Sequence, residues 1–176
     1  VKNVKLFHIY YGNFESPIDR HTKNLTNYFA ANIGKSRWFD VLTTYYQIVD
    51  GSKEYISNSL SFMGNISRET NGGGTTLTDK GIKTYIANEI FSKNVVKPDV
   101  DTIYVVIFRG DYTFSLGSIG TFGVDWCGYH TGFYLNGHND FYKLIVIGDA
   151  SKSPHPLDCM EHVVNTVNKN AGADGL

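Results

Sequence analysis

The segment Tyr142-Lys143-Leu144-Ile145-Val146-Ile147-Gly148-Asp149 is a nearly continuous β-branched run. It is too short for a typical helix and reads as a strand covered on both faces. Before it stands Trp126 to Leu135, a second strand, and between the two lies the polar stretch Asn136-Gly137-His138-Asn139-Asp140. Asn136-Gly137 tolerates the positive φ that a tight hairpin requires. This hairpin also carries one of the chain's 2 cysteines, beside a tryptophan and a histidine, so covalent and chemical possibilities concentrate here.

Read in order, Val4 to Tyr11 is a strand that ends at Gly12-Asn13. Ser16-Pro17 supplies an N-cap and a first-turn proline. Ile18, Leu25, Tyr28, Phe29 and Ile33 recur at helical spacing, predicting an amphipathic helix over 17–33 that Gly34 closes. A shorter helix is expected from Arg37 to Tyr46, with Trp38, Leu42 and Tyr45 on one side. The period then changes: Leu60, Phe62, Gly64 and Ile66 alternate with polar residues, a strand pattern. Asn71-Gly72-Gly73-Gly74 lacks the Lys-Ser/Thr of a phosphate-binding loop and reads as a connector. Thr78 or Asp79 caps a third helix with Ile82, Tyr85, Ile86 and Ile90 towards the core, and Thr102 to Arg109 is the expected central strand. Residues 110–125 form a long glycine-rich covering loop. Ser151 to Cys159 should be extended, and Met160 to Asn168 could form one or two helical turns.

This order predicts a single α/β domain over residues 1–176, a mixed sheet of about five strands with helices packed mainly on one face. A chain of 176 residues can bury about two-thirds of its unfolded surface. Sixteen basic and 17 acidic residues are scattered along it, which argues against nucleic acid or an anionic membrane as partner. The apolar runs Ile103 to Phe108 and Leu144 to Ile147 are too short to span a bilayer.

The first residue is Val1 rather than methionine, which fits either a removed signal peptide or a chosen starting point of the chain. Asn24-Leu25-Thr26 and Asn65-Ile66-Ser67 are acceptor triplets for N-glycans at Asn24 and Asn65. Together with many Tyr, Asn, Ser, Thr and Gly residues and only two cysteines they point to a secreted protein. In that setting Cys127 and Cys159 are expected to form a disulfide. The alternative is a Cys127–His130 thiolate pair acting as nucleophile, which strand alternation disfavours.

The sequence resembles the phosphate-induced-protein, or EXORDIUM-like, family of secreted proteins best known from plants. The matching pieces are Tyr10-Tyr11-Gly12-Asn13, Trp38 with Thr44-Tyr45-Tyr46, Ile103 to Asp111, Cys127-Gly128-Tyr129-His130, Tyr142 to Gly148, and Gly172-Ala173-Asp174-Gly175. In non-plant members the last segment runs into a helix with a His-Glu pattern like that of zinc peptidases; plant members lack it. The resemblance therefore implies that this chain is the first two-thirds of such a protein. It further implies the sheet-bearing upper lobe of a zincin-type fold, with zinc, if any, on a C-terminal partner segment of the same precursor.

The remaining chemistry is sparse. No His-x-x-x-His or Cys-x-x-Cys pair occurs, Glu161-His162 lacks a partner, and zinc needs three or four converging ligands. His8, His138, His155 and His162 read as structural, and no metal site is assigned to this chain. Asp111, Asp125 and Asp149 are strand-end carboxylates suited to turn capping. No Gly-x-Ser-x-Gly elbow is present. No catalytic residue is assigned; the cleft candidates are His130, Tyr129 and Asp125. Tyr112, Phe114, Phe122, Trp126, Tyr129 and Tyr134 are rings able to stack on sugars or fill the core. Two functions are expected: the substrate wall of a zinc-metallopeptidase-like protein acting on peptides, or a non-catalytic extracellular binder of a cell-wall or matrix glycan or protein.

Overall fold

The computed structural model describes residues 3–68, 76–135, 139–160, 169, 170, 173 and 176. Strand β1 (Val4–Tyr11) turns Phe7, Ile9 and Tyr11 to one face and His8 and Tyr10 to the other, and all five are buried. It lies between β4 (Leu60–Arg68) and β6 (Thr102–Arg109), parallel to both. Next come β9 (Phe141–Asp149), parallel to β6, and β8 (Gly128–Tyr134), antiparallel to β9 at the edge. The five-stranded mixed sheet has the order β4-β1-β6-β9-β8, with the expected strand at its centre. The α/β class follows as the alternating sequence pattern requires.

Helix α1 (Pro17–Asn32) begins where expected, with the Ser16 Oγ accepting from the Asp19 amide at 3.2 Å. Its orientation corrects the sequence reading. Ile18, Tyr28 and Phe29 are exposed, and Asp19, Thr22 and Ala30 are buried instead. The inner face is held by hydrogen bonds: Tyr10 Oη and Thr26 Oγ1 are bonded at 2.6 Å, and His8 Nδ1 meets Asn27 Oδ1 at 2.9 Å. Gly34 does not take the left-handed turn; Lys35 does, with φ 64°. Gly34 is needed because a Cβ there would sit 2.7 Å from the Leu60 amide nitrogen.

The second helix is shorter than its spacing implied. α2 (Arg37–Asp40) passes into a 3-10 turn at Val41–Thr44, followed by a hairpin of β2 (Tyr46–Val49) and β3 (Ser52–Tyr55). Asp50 and Gly51, at φ 49° and 77°, make the tight turn. The hairpin is largely exposed, and Trp38, Tyr45, Tyr46, Ile48 and Tyr55 all face solvent.

Strand β5 (Thr76–Leu77) leads into α3 (Asp79–Tyr85), whose Thr78 cap accepts from the Gly81 amide at 3.1 Å. The helix continues as a π-helical turn, Ile86–Phe91, with Ile82, Ile86, Ile90 and Phe91 buried. These residues pack with Phe7, Ile9, Tyr104, Val106, Tyr142, Leu144 and Val146 into the main core. The loop after β6 adds β7 (Thr113–Phe114), parallel to β5, and folds Phe114, Phe122 and Trp126 against Phe108. Most rings weighed for sugar stacking are therefore core; Tyr134 is exposed.

The helices thus flank the sheet unequally rather than sharing one face. α3 and its continuation cover one face, while α1 lies on the other, over β4 and β1. On α1's face Tyr10, Phe14, Val105 and Ile107 form a smaller core, and Ile103, Ile145 and Ile147 are only partly buried. This corrects the expectation that β9 is covered on both faces. Met160 is buried, and the turns expected at 161–168, the 136–138 turn and the 71–74 loop fall outside the described residues.

Candidate functional site

An open groove of about 530 Å³ runs along the less covered face beside β8. Ile103, Phe141 and Ile145 supply apolar walls, and His130 and Lys143 supply polar ones; the Thr131 hydroxyl turns to the opposite face, accepting from Lys83 Nζ at 3.3 Å. The Lys143 ammonium is directed along the sheet, donating to the Val100 carbonyl at 2.6 Å. Phe141 crosses to Gly132, where a Cβ would overlap its ring and stand 2.6 Å from the Tyr142 carbonyl. Among the described residues β8 pairs with β9 alone, so its outer backbone edge is the kind of surface an extended peptide extends by strand addition.

The three cleft candidates do not converge. His130 is exposed at the groove. Tyr129, one residue earlier, points to the opposite face, where its hydroxyl donates to Asp79 Oδ1 at 3.1 Å. Burial pushes that phenol up, and the neighbouring Asp79 charge pushes it further. Asp79 is also paired with Lys83 at 2.7 Å. Asp125 lies in the covering loop, accepting from the Thr121 amide at 2.8 Å, and serves as a turn cap. Cys127 is bonded to Cys159, with Cα atoms 5.4 Å apart, so it is no thiolate partner for His130. Asn24 and Asn65 are exposed, the first on α1 and the second on edge strand β4.

A second polar cluster, missed from sequence, gathers outside the carboxyl ends of the parallel strands. The chain leaves β1 for β4 on one side and returns to β6 on the other, and the crevice at such a reversal is where open α/β sheets place ligands. Asp19, only 2% exposed, accepts from Ser16 Oγ at 2.6 Å and lies 3.6 Å from Arg109 and 3.7 Å from Lys152. Its Oδ1 has no hydrogen bond. Arg109 donates to Asn13 O at 2.8 Å and to both oxygens of Asp111 at 3.1 and 2.8 Å. Asp149 is buried and accepts from the Ser151 amide and hydroxyl; burial raises its carboxyl above the ordinary value, against those bonds. Asp111 and Asp149 therefore cap and pair rather than form an acid–base couple. The Ser16-x-x-Asp19 spacing of a capping box was the available signal for Asp19; nothing local foretold Arg109 or Lys152.

Among the described residues no three His, Cys, Asp or Glu side chains are placed to hold a metal ion. The described residues therefore do not by themselves form a zinc site. No protein-family model, no curated protein and no solved structure matches this chain.

Proposed function

We propose that this chain is the sheet-bearing part of a secreted EXORDIUM-like protein, and that the groove beside β8 is the wall of a peptide-binding cleft. In this reading an extended peptide adds to the free edge of β8, with backbone hydrogen bonds for affinity and the groove for alternate side chains. His130 faces the bound chain. The zinc helix of a metallopeptidase-like site belongs to polypeptide after Leu176, which acts as the partner segment, covalently continuous or cleaved.

The observation that carries the proposal is the unequal cover of the sheet. α1 covers β4 and β1, whereas Ile103, Ile145 and the groove remain accessible on the same face. Leu176 packs against the smaller core of the same face, formed by Tyr10, Phe14, Val105 and Ile107. The disulfide supports an extracellular setting, and the two exposed sequons agree with it.

The deciding experiment expresses the chain together with the coding sequence that follows Leu176. About one zinc per molecule, with chelator-sensitive cleavage of an unfolded protein substrate that declines in Thr131→Pro, is expected. Full-length protein that neither retains zinc nor cleaves would overturn the peptidase reading. The second reading, a binder of matrix glycan or protein, is favoured by the exposed rings of Trp38, Tyr45, Tyr46 and Tyr55. Retention on cell-wall polysaccharide that is lost in Trp38→Ala would select it.

A further inference from the structure

We propose that β8 is a self-association edge: two copies of this chain pair β8 with β8, antiparallel across a twofold axis, and join their sheets into one. The pairing uses the same edge as the peptide cleft but does not depend on that reading.

The two edges of the sheet are built differently. On β4 the register with β1 shifts between Leu6 and His8, beside Gly64 at φ 109°, and the exposed sequon residue Asn65 follows. Irregularities of this kind turn an edge away from further pairing. β8 has no such interruption: its seven residues, Gly128 to Tyr134, run in continuous register with β9. It carries no lysine, arginine, aspartate, glutamate or proline, the residues that ordinarily block an edge.

A closed twofold pairing sets one residue against a second and the second against the first. The register that uses all of β8 is centred on Thr131. On the groove face it places His130 opposite Gly132 of the other copy, and Tyr134 opposite Gly128. That face alternates small and large, Gly128, His130, Gly132, Tyr134, so each ring meets a glycine. A ring laid over an edge glycine covers backbone that the glycine leaves bare. Phe141, whose ring already crosses to Gly132, gives the incoming imidazole an aromatic surface. On the α3 face the same register sets Tyr129 against Phe133 and Thr131 against Thr131, pairings that favour antiparallel ladders.

The ammonium groups beside this edge do not oppose the pairing. Lys83, which donates to Thr131 at 3.3 Å, is neutralised by Asp79 at 2.7 Å. Lys143 donates to the Val100 carbonyl, towards β6 and away from the β8 edge. A single strand pair is a small interface beside the roughly 1,000 Å² of a stable one, so the dimer is weak and exchanges with monomer.

The test runs sedimentation velocity on the intact, disulfide-bonded chain over a concentration series, with hydrogen exchange followed on the same samples. Expected are a reversible shift from monomer to dimer and slower exchange in residues 128–134 at high concentration, with β4 unchanged. His130→Lys, at an exposed position, places an edge-blocking charge beside the axis and should weaken association at least about tenfold. Monomer at every concentration up to the solubility limit overturns the proposal and leaves the peptide cleft as it stands. A dimer with unchanged β8 exchange overturns it too, as does association undiminished in His130→Lys, because either result places the contact elsewhere. Should His130→Lys fail to fold, the wild-type mass and exchange still decide.

Discussion

Tyr129 and His130 are adjacent on β8, yet Tyr129 reaches Asp79 at 3.1 Å beneath α3 while His130 faces the groove on the other side of the sheet. Strand alternation thus divides two side chains that sequence reading had grouped in one cleft.

Their substitutions should separate accordingly. Tyr129→Phe removes a partly buried hydrogen bond to a charged group and is expected to cost about 1.5–3 kcal/mol in urea denaturation. His130→Ala is exposed and should change stability by less than about 0.5 kcal/mol. Equal losses from both would contradict the opposed orientation.

Asp19 ties the start of α1 to the ends of β6 and β9 through Ser16, Arg109 and Lys152. Removing a buried carboxylate leaves Lys152 and the Ser16 hydroxyl without this acceptor and Arg109 with Asp111 and the Asn13 carbonyl alone. Because those cations are about a quarter to a third exposed, at 24% and 32%, solvent offsets part of the loss. Asp19→Ala is expected to destabilise by about 2–3 kcal/mol, read as a lower denaturation midpoint at unchanged slope. A change under about 0.5 kcal/mol would refute this role.

His8 provides a pH signature. Burial holds its imidazole below the ordinary histidine value, although the bond to Asn27 opposes this. The unfolded chain, with a pKa of about 6.5, then binds the proton more readily than the folded one. The contribution of His8 is therefore present above that pH, is lost as pH falls from about 6.5 to the lower folded value, and is constant below it. Stability measured from pH 8 to pH 5 should fall, and His8→Gln should flatten the slope. Identical slopes would remove His8 as the cause.

The Cys127–Cys159 bond closes a loop spanning 32 positions and joins the start of β8 to the segment after β9. Chain-entropy arguments assign such a loop about 3–4 kcal/mol. The double variant Cys127→Ala, Cys159→Ala should lose roughly this amount in equilibrium unfolding. Non-reduced peptide mapping that recovers two free thiols would show the bond absent from the native protein.

Much of the local structure was legible because it depends on neighbours in sequence. Alternation marked β4, a nearly continuous β-branched run marked β9, Ser16 and Thr78 marked helix starts, and two cysteines in a chain read as secreted left few covalent options. The Asp50-Gly51 turn was equally local, but the spacing of Trp38, Leu42 and Tyr45 was read as one side of a helix reaching Tyr46, whereas the helix ends at Asp40 and passes into a 3-10 turn. Apolar spacing likewise gave the extent of α1 but the wrong inner face. Burial there is decided by hydrogen bonds from Tyr10 and His8 to polar helix residues, which periodicity cannot register.

What only the tertiary structure decided depends on strand order. Residues 19, 109 and 152 meet because β1, β6 and β9 end at one rim, and Arg68 meets Tyr11 and Tyr85 because β4 adds outside β1 in register. The groove exists because α1 covers one half of its face. A sequence carries strong preferences for period, cap and turn, since these involve residues a few positions apart. It carries no local mark of which distant strands pair, because that choice rests on the summed packing of the whole core.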